Sequence, residues 1–527
     1  MAAVDFAYRR SPDQDAPEPA RHPVVVVGAG PVGLTAAIDL TLRCVPVIVL
    51  DDADRIGEGS RAICFSKRTL ELLDRLGVGE TCLKKGVTWK FGKVFHGDTE
   101  VYRFDLLPEA GHKMPAFVNL QQFHLERYLL ERAAGLGIDL RWRNRVTAIE
   151  RRNDGAELTV ETPDGPYRLA ADWVVAADGA HSTLRRLLGL DWLGEAFDDR
   201  FLIADIRMHA DLPAERRFWF DPPFHEGQSA LMHKQPDDVW RIDLQLGPQA
   251  DAEAEKCPER VLPRLKRMLG HDDFTLEWVS VYRFQCRRIA RFLHGRVIFA
   301  GDAAHQVSPF GARGANSGIE DATNLAWKLA LVVEGAAPEA LMESYHVERS
   351  AAADEDIGHS TRSTDFIAPR TPAERRLRNA VLALAGSCDF ARRMVNSGRL
   401  SRPALYDGPL TTLDEEAWDG PMRPGAALLD APMRAGDRPA WLLDCLPRDF
   451  CLLAAAGGPP IDPPEGLAVL SIGGDLEDAE GHFAARYGAA PGACFLVRPD
   501  HYLAGRWRRY DRIKVEAALA QARGGPS

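Results

Sequence analysis

Val24-Val-Val-Val-Gly-Ala-Gly-Pro-Val-Gly33 decides the fold of this chain. The valines predict a buried strand, and Gly28, Gly30 and Gly33 form a Gly-x-Gly-x-x-Gly turn before an apolar helix. A second apolar run, residues 45–50, predicts the next strand, and Asp51 stands at its end. In a strand–helix–strand unit this pattern is typical of a dinucleotide site, where the glycines admit a pyrophosphate and the acid accepts hydrogen bonds from a ribose.

A second glycine-rich segment is Ile298-Phe-Ala-Gly-Asp-Ala-Ala-His305, which continues through Ser308-Pro-Phe-Gly-Ala-Arg-Gly-Ala-Asn316. Its apolar start predicts a buried strand that stops at Gly301-Asp302, and a helix follows the glycines. The free N–H groups and the dipole of a helix start both favour negative charge. We expect this segment to hold a large cofactor with backbone groups, beside one acidic side chain.

A third predicted strand, residues 173–177, ends in Asp178-Gly179, and Ser182 is suited to cap the helix that carries Arg185. Arg61 follows the second strand of the first unit, from where its charge can reach the phosphates of a dinucleotide. Gln122 begins a predicted helix over about 122–136, where its amide can cap the helix or contact a ligand.

The composition is that of a soluble globular protein of two to four domains, with 527 residues, 46% apolar and 27% charged. A net charge of −11 argues against nucleic acid and anionic membrane as partners, and no apolar run is long enough for a membrane span. The nine cysteines form no CxxC pair, and the first residues lack the apolar core of a signal peptide. We therefore expect a cytoplasmic protein with reduced thiols and no metal site.

Three predicted strands of this chain end in glycine-rich or Asp-Gly turns. In this pattern the chain resembles the FAD-dependent aromatic hydroxylases, the single-component class A flavoprotein monooxygenases. The resemblance covers about residues 22–355 and rests on the first glycine motif, on Asp178-Gly179 with Ser182 and Arg185, and on residues 301–328. It implies an α/β fold, in which a glutathione-reductase-type FAD-binding Rossmann domain is interrupted by a mainly antiparallel β-sheet substrate domain. No second glycine motif exists for NADH or NADPH, so the resemblance implies a transient visit by either reductant.

The resemblance also implies roles for single residues. Asp302 would bind FAD near its ribityl chain, and backbone N–H groups around Gly314 to Asn316 would face the flavin C2 carbonyl. The two expected catalytic residues are Pro309, whose carbonyl would accept a hydrogen bond from the substrate hydroxyl, and Arg313, which would add positive charge. Ser308 departs from the commoner Pro-Pro at this point. The full set of expected cofactor-binding residues is Gly28, Gly30, Gly33, Asp51, Arg61, Gln122, Asp178, Arg185, Gly301, Asp302, Gly314, Ala315 and Asn316.

The expected substrate domain, residues 190–284, alternates apolar and polar residues over 201–209, 216–221, 228–233, 239–246 and 277–284, which predicts antiparallel strands. Because half of a strand's side chains face each side of its sheet, the pattern cannot say which residues line a pocket. The candidates for contact with a substrate are Trp219, His225, His233, Arg241 and Tyr282.

The remaining segments complete the predicted domain plan. Residues 1–22 are expected to form a disordered tail, residues 23–189 and 285–400 the FAD-binding domain, and residues 401–418 a linker. Residues 419–527 end in Val497-Arg-Pro-Asp-His-Tyr-Leu-Ala-Gly-Arg-Trp507, which resembles the C-terminal thioredoxin-like domain of phenol hydroxylase-type members. Without a CxxC motif this domain is expected to be structural or to form dimer contacts, so a homodimer stays open.

By resemblance, the function is NADH- or NADPH-dependent hydroxylation of a phenolic or catecholic ring with O₂, through a flavin C4a-hydroperoxide, in aromatic degradation. The partners are then a small aromatic substrate and O₂. Two alternatives stay open. One keeps the fold and acts on a polycyclic polyketide by hydroxylation, epoxidation or Baeyer–Villiger oxidation, and the other is a flavin-binding module without catalysis.

Overall fold

The first glycine motif lies in a sheet that is built mostly by the first third of the chain. The computed structural model describes residues 6–57, 59, 61–395 and 400–525. The elements before residue 190 are β1 (Ala20–Val27), α1 (Pro31–Thr41), β2 (Val47–Leu50), β3 (Cys64–Ser66), α2 (Lys67–Arg75), α3 (Gly79–Lys85), β4 (Val87–Trp89), β5 (Phe91–His96), β6 (Thr99–Asp105), β7 (Phe117–Asn119), α4 (Gln122–Gly135), β8 (Asp139–Arg141), β9 (Arg145–Arg152), β10 (Gly155–Thr162), β11 (Gly165–Ala176) and α5 (Thr183–Leu187).

The next elements along the chain are β12 (Trp192–Arg207), β13 (Arg216–Phe220), β14 (Ser229–Lys234), β15 (Val239–Gln245), α6 (Ala252–Glu255), α7 (Pro258–Leu269), β16 (Thr275–Ile289), β17 (Leu293–His294), β18 (Val297–Phe299) and β19 (His305–Gln306).

The strands that carry the motifs run parallel at the centre of the first sheet. The order is β17-β18-β11-β1-β2-β8, and β1 pairs in parallel with β11 and β2. Strands that are buried on both faces have continuous apolar sequences, and the four valines of β1 are an example. Because parallel strands end at one edge, the turns at Gly28, Asp51, Asp178 and Gly301 meet there.

A second sheet of eight strands has the order β19-β16-β12-β15-β14-β13-β5-β6. The five predicted strands of the substrate domain are all present, and their mutual pairings are antiparallel, which confirms the predicted fold class. The boundary at 190–284 is too narrow, because the hairpin β5–β6 from the FAD-binding part adds two strands by parallel pairing of β5 with β13. At the other edge, β19 joins the segment after Gly301 to β16.

The two faces of the second sheet differ in what they contact. One face is an apolar layer with Ile206, Met232, Trp240 and Ile242, which packs with Val261 of α7. The other face carries Phe201, Phe218, Phe220 and Phe284 and packs against Phe310 of the second glycine-rich segment. The second face therefore closes over the edge at which the turns of the first sheet meet.

The long helices after residue 313 support that edge from behind. They are α8 (Gly314–Val333), α9 (Leu341–Ile367), α10 (Pro372–Ala385) and α11 (Asp389–Val395). In α8 every residue from Asn316 to Ala330 is buried, so the helix lies inside the molecule. Residues 400–431 contain no helix or strand, and Tyr406 and Leu410 within them are buried. The linker at 401–418 stays a prediction.

The C-terminal part forms its own sheet. Its elements are β20 (Pro432–Ala435), β21 (Arg438–Trp441), α12 (Leu442–Cys445), β22 (Cys451–Ala455), β23 (Ala468–Ile472), α13 (His482–Tyr487), β24 (Cys494–Val497), β25 (Leu503–Trp507) and α14 (Arg512–Ala522). The order β23-β22-β24-β25 has β22 and β23 parallel and the other pairs antiparallel. The β22–β23 connection is a proline-rich loop without a helix, and the thioredoxin-like assignment stays a prediction.

The disordered tail predicted at 1–22 is wrong for residues 6–22, while residues 1–5 lie outside the described part. Ser11 and Gln14 form a capping box on a short 3₁₀ turn, Pro12–Asp15. The Tyr8 hydroxyl donates to Gln14 Oε1 at 2.9 Å, and the Phe6 ring lies 4.6 Å from that of Trp142. A capping box and two aromatic anchors order a segment whose proline-rich composition suggests the opposite.

The motif Arg498-Pro-Asp500 docks the C-terminal sheet onto α8 and α9. Arg498 donates to both carboxylate oxygens of Glu348, at 2.6 and 2.9 Å, and pairs with Asp500 at 2.7 Å. Lys328 of α8 also binds Glu348, at 2.7 Å, and all four side chains are buried. Burial alone would raise the pKa of Glu348, but Arg498 and Lys328 outweigh it and lower that pKa. Burial lowers the pKa of Lys328 to about 8.

Removing this cation tests its structural role. We expect Arg498→Met to lower the free energy of unfolding by about 3–5 kcal/mol, because Glu348 and Asp500 would be left buried without it. The midpoint of urea denaturation, followed by circular dichroism, measures the loss. The matched control is Arg434→Met, since Arg434 is half exposed and forms long ion pairs with the exposed acids Asp437, at 3.7 Å, and Glu477, at 4.0 Å. Equal midpoints for the two variants would contradict a stabilising role for Arg498.

Candidate active site

Each of the three glycines in the first motif is explained by a different feature of the structure. Gly28 has a φ of +109°, and a Cβ there would lie 2.3 Å from the Ala177 carbonyl oxygen. A Cβ on Gly33 would lie 1.9 Å from the Gly28 carbonyl oxygen, so α1 packs directly on the turn. Gly30 is different, because a Cβ there meets nothing within 4 Å. That open space is where a dinucleotide pyrophosphate approaches the start of α1.

Asp51 lies beside this turn, as the sequence predicts. Its Oδ2 accepts from the Ala29 N–H at 2.5 Å, and its Oδ1 accepts from the Ala53 N–H at 2.8 Å. Burial raises the pKa of Asp51, and the two N–H groups oppose that shift. Each carboxylate oxygen keeps a lone pair, so the ribose role stays compatible with these contacts.

Gln122 and Arg61 meet around a carboxylate that the sequence analysis missed. Gln122 accepts from the Ala62 N–H at 3.2 Å and donates to Glu126 at 2.7 Å. Glu126 is buried, which raises its pKa, and the charge of Arg61 acts against that shift. Glu126 follows Gln122 by one helical turn, and this i,i+4 spacing is the signal that could have revealed it. Arg61 itself is exposed.

Asp178 keeps an unused acceptor at the third strand end. Its Oδ2 accepts from the Leu184 N–H at 3.0 Å, whereas Oδ1 is buried and has no hydrogen-bond partner in the described part of the chain. Such a group calls for a ligand donor. Arg185 donates to the Leu190 carbonyl at 2.6 Å and covers the ring of Trp192 at 4.7 Å, which ties it to the start of β12. Its role toward the cofactor stays a prediction.

Asp302 is exposed and follows β18 at the edge where the turns of the first sheet meet, and we call the exposed side of this edge the cleft. Gly301, at a φ of +60°, turns the chain so that its own N–H donates to Asp321 Oδ2 at 2.8 Å. The Asp302 side chain is reached by solvent, although burial among the surrounding groups raises its pKa. The charges of His305 and Arg61 oppose that rise, so both groups lie near the Asp302 carboxylate. An exposed carboxylate with protein charges close to it is suited to bind the linker of a large cofactor.

Behind the cleft a buried ion network holds the turn. His305 Nε2 lies 2.7 Å from Asp321 Oδ2, and Arg349 of α9 donates to Asp321 Oδ1 at 2.6 Å. Burial alone would lower the pKa of His305, but Asp321 outweighs it and raises that pKa. Arg349 also donates to the Tyr406 hydroxyl at 2.6 Å. His305 is therefore buried in a structural contact with Asp321 and does not face the cleft as a base.

Pro309 opens a short 3₁₀ turn, Pro309–Gly311, and is exposed to the cleft. Its carbonyl accepts from the Ala312 N–H at 2.9 Å and keeps a second lone pair for a ligand hydroxyl. Ser308 is buried, accepts from the Thr364 hydroxyl at 2.9 Å and donates to the Ser360 carbonyl at 3.4 Å. The serine in place of the commoner proline therefore fastens the turn to α9.

The start of α8 presents backbone groups, as predicted for Gly314, Ala315 and Asn316. A helix that begins at Gly314 leaves its first N–H groups without an acceptor inside the helix. The Asn316 side chain is already used, because it accepts from the Ser66 N–H at 3.0 Å and donates to the Cys64 carbonyl at 3.0 Å. Only its backbone N–H can serve a cofactor.

Arg313 does not have the position that a catalytic group of the cleft requires. The side chain is buried, its guanidinium lies against Gly311, and it pairs with Asp356 of α9 at 3.3 Å. A Cβ at Gly311 would lie 1.6 Å from that guanidinium, so the glycine is what lets Arg313 fold back. We correct its predicted catalytic role to that of a tether between the turn and α9.

Three of the five substrate candidates lie on the sheet face that closes the cleft. His233 and Arg241 are buried on neighbouring strands, and Tyr282 packs with the phenylalanine cluster. Trp219 is on the wrong face, since it stacks on Phe95 at 5.2 Å and packs with the apolar layer under α7. His225 is also outside the cleft, because it bonds to the Gln245 carbonyl at 2.5 Å in a separate groove beside α7.

This arrangement defines a class, the FAD-dependent enzymes in which an antiparallel sheet closes over the carboxyl edge of a Rossmann sheet. Residues 21–358 match the FAD binding domain family. The chain belongs to this family of class A flavin monooxygenases, and FAD is its cofactor. The open space at Gly30, the unpartnered Asp178 Oδ1 and the solvent-lined Asp302 fit that cofactor.

Similar proteins extend over nearly the whole chain. The 6-methylpretetramide 4-monooxygenase of Streptomyces rimosus is 32% identical over 557 residues, covering 96% of this chain and 94% of its own. A probable NADH-specific resorcinol 4-hydroxylase of Rhodococcus jostii (strain RHA1) is 28% identical, covering 92% and 91%. The flavin-dependent monooxygenase PieE, solved with FAD and substrate, has a TM-score of 0.83 at 23% identity, covering 97% of this chain and 100% of its own, and shows the shared fold.

None of the helices in the described ranges is both long enough and apolar enough to cross a bilayer.

Proposed function

We propose that this protein is an NADH- or NADPH-dependent FAD monooxygenase that hydroxylates an aromatic ring carrying a hydroxyl group. The observation that carries the proposal is a cluster of aromatic side chains next to Pro309. Phe310 follows Pro309 directly, and its ring lies 4.8 Å from that of Phe201 and 5.2 Å from that of Phe284. An aromatic substrate that binds beside this cluster would stack on apolar rings and could place its hydroxyl near the exposed Pro309.

The chain's own groups then do three things. The Pro309 carbonyl orients the substrate hydroxyl, and the buried phenylalanines keep water from the reacting ring. The N–H groups and the dipole at the start of α8 would stabilise negative charge on a cofactor ring bound next to them. When bound and reduced by the nicotinamide, FAD would activate O₂, so that one oxygen atom of O₂ enters the product and the other leaves as water.

A second candidate substrate is a polycyclic polyketide with a phenolic ring. The full-length likeness to 6-methylpretetramide 4-monooxygenase supports it, while the likeness to the resorcinol 4-hydroxylase supports a single ring. Both candidates need the same ring hydroxyl beside Pro309. They differ in how much space a substrate needs beyond that ring.

Turnover assays test the proposal. With purified protein, we expect resorcinol, 4-nitrophenol or anhydrotetracycline to speed NADH or NADPH oxidation by roughly ten-fold or more, equivalent to about 1.4 kcal/mol of activation free energy. The methyl ether of the best compound is the matched control and should not stimulate oxidation. If no hydroxylated aromatic accelerates oxidation of either nicotinamide, the proposed function is wrong. The larger rate distinguishes NADH from NADPH.

A further inference from the structure

Four arginines lie together where the C-terminal part of the chain meets the FAD-binding part, and we call them the arginine cluster. Its members are Arg43 after α1, Arg68 and Arg75 on α2, and Arg448 in the loop between α12 and β22. Only 4% of Arg68 is exposed, and the side chains of Arg43 and Arg75 are 7% and 8% exposed. The cluster is therefore largely removed from water.

Four hydrogen bonds of the cluster cross from one part of the chain to the other. Arg43 donates to the Arg448 carbonyl at 2.8 Å, and Arg448 donates to the Arg75 carbonyl at 3.3 Å. Arg68 and Arg75 both donate to backbone carbonyls of the loop between β24 and β25. All four acceptors are neutral carbonyl groups, so these bonds orient the guanidinium groups without neutralising their charge.

A single carboxylate pairs with the cluster in the part of the chain that the structure describes. Asp39 of α1 is fully buried and lies 3.2 Å from Arg43 and 2.6 Å from Arg75. Arg68 and Arg448 form no ion pair with any described carboxylate, and their printed partners are carbonyl groups. Four cations and one anion leave three positive charges without a counter-charge. Buried charge of this kind is costly for a folded protein.

The pKa values of the arginines agree with this excess of positive charge. Burial lowers the pKa of Arg75 to about 10, although Asp39 acts against that shift, and burial also lowers the pKa of Arg448. Asp500 and Glu320 lie near the cluster as well, but each of them pairs with a different arginine. The protein therefore supplies too little negative charge at this place.

Unused hydrogen-bond donors accompany the unpaired charge. Six buried nitrogen atoms lack a hydrogen-bond partner among the described residues, namely Arg43 Nη2, Arg68 Nε, Arg68 Nη1, Arg75 Nε, Arg448 Nη1 and His501 Nε2. Burial and the four arginines lower the pKa of His501 well below its ordinary value, so its ring is neutral. Guanidinium groups can only donate, so the cluster lacks acceptors. A water molecule accepts hydrogen bonds but leaves the charge, whereas an anion satisfies both needs.

We propose that the arginine cluster binds an inorganic oxyanion of the phosphate or sulfate class between α2 and the β24–β25 loop. An oxyanion suits the cluster, because its several oxygens can accept from more than one guanidinium group at once. The bound anion joins the C-terminal sheet to the FAD-binding part. This site is distinct from the pyrophosphate site of FAD, since the 11 residues of α1, roughly 16 Å, separate Arg43 from Gly30. The inference does not rest on the proposed function.

Isothermal titration calorimetry of the FAD-loaded chain tests the inference. The probes are sodium phosphate and sodium sulfate, and sodium chloride keeps the ionic strength constant. Because FAD fills its own phosphate site, we expect one further oxyanion per chain. Arg68→Gln should weaken this binding by about 10- to 100-fold, as for lost hydrogen bonds to a charged group. Arg68 is the informative position, because two of its nitrogens are unused and its removal leaves no carboxylate unpaired.

Urea midpoints give a second readout, which an arginine with a purely structural role would not change. An anion that binds only the folded protein raises its stability as the anion concentration exceeds the dissociation constant. We expect the wild-type midpoint to rise with phosphate and the Arg68→Gln midpoint to stay constant over the same range. Arg434→Gln is the matched control and should keep the wild-type response, because Arg434 is half exposed. If Arg68→Gln does not fold, Arg448→Gln takes its place, since Arg448 also lacks a carboxylate partner among the described residues.

Three results would overturn the inference. The first is wild-type protein without saturable binding of phosphate or sulfate. The second is an equal affinity for the oxyanion in the wild type and in the cluster variant. The third is stabilisation by chloride that equals stabilisation by phosphate at the same ionic strength, because general screening or a halide would then explain the effect. The turnover assay judges the proposed function separately, since it does not depend on added phosphate.

Discussion

Asp302→Ala is expected to give a folded protein that has lost its FAD. The Asp302 side chain is exposed to solvent in the cleft. Its removal therefore leaves no buried cation unpaired. What disappears is an acceptor for the hydroxyl groups of the cofactor's linker. Hydrogen bonds to a charged group contribute about 1.5–3 kcal/mol, which predicts an FAD dissociation constant roughly 10- to 100-fold higher.

The ratio of flavin to protein absorbance after desalting measures this loss, and flavin fluorescence titration gives the dissociation constant. Asp437→Ala serves as the matched control, because Asp437 is fully exposed in the C-terminal part. Circular dichroism must show both variants folded. An Asp302→Ala protein that retains full flavin would refute the assigned position of the cofactor's linker.

The second large effect is expected at Asp321. Asp321→Ala would leave Arg349 and His305 buried without their anion and would free the Gly301 N–H. Loss of a partner from a buried ion pair costs about 3–5 kcal/mol of unfolding free energy, and the displaced turn should also release FAD. Urea midpoints measure the first effect and flavin content the second.

The matched control for Asp321 is Asp354→Ala on α9. Asp354 forms an exposed pair with Arg288 at 2.6 Å, and such pairs contribute little to stability. We therefore expect its midpoint to stay near that of the wild type. Comparable losses in both variants would mean that burial of the His305–Asp321–Arg349 network does not stabilise the protein.

The same pair predicts the pH dependence of wild-type stability. The pKa of His305 is raised in the folded state, so its contribution is complete below pH 6.5 and is lost as the pH rises through the raised value. The pKa of Asp321 is lowered, so its contribution is present above pH 3.9 and is lost as the pH falls through the lowered value. Asp321→Ala should remove the alkaline loss, and an unchanged alkaline limb would contradict this assignment.

The backbone roles of the glycines were predictable from the sequence, because a glycine motif marks positions where the backbone leaves no room for a Cβ. Gly28, Gly33 and Gly301 occupy positions where a Cβ would collide, and no side chain needs to be oriented for the prediction to hold. Side chains of the pocket were not predictable in the same way. Arg216 and Trp219 are three residues apart on one strand and therefore face opposite sides, and the sequence of β13 does not say which side is inward.

That choice depends on partners distant along the chain. β13 is flanked by β5 from the first third of the chain, and its inward face is defined by contact with Phe310. The position of the Arg313 side chain was not predictable for a related reason, since it pairs with Asp356, a buried acid on α9. Docking of the C-terminal sheet through Arg498 likewise joins residues that no local pattern connects.

Oxygen isotope incorporation tests the central claim most directly. The turnover assay is run under ¹⁸O₂ with the aromatic compound that stimulates nicotinamide oxidation most, and the product is analysed by mass spectrometry. We predict a hydroxylated product that carries one ¹⁸O atom from O₂, and none when the label is in the water. A product without ¹⁸O, or nicotinamide oxidation that yields only hydrogen peroxide with every compound tested, would contradict the assignment as a monooxygenase.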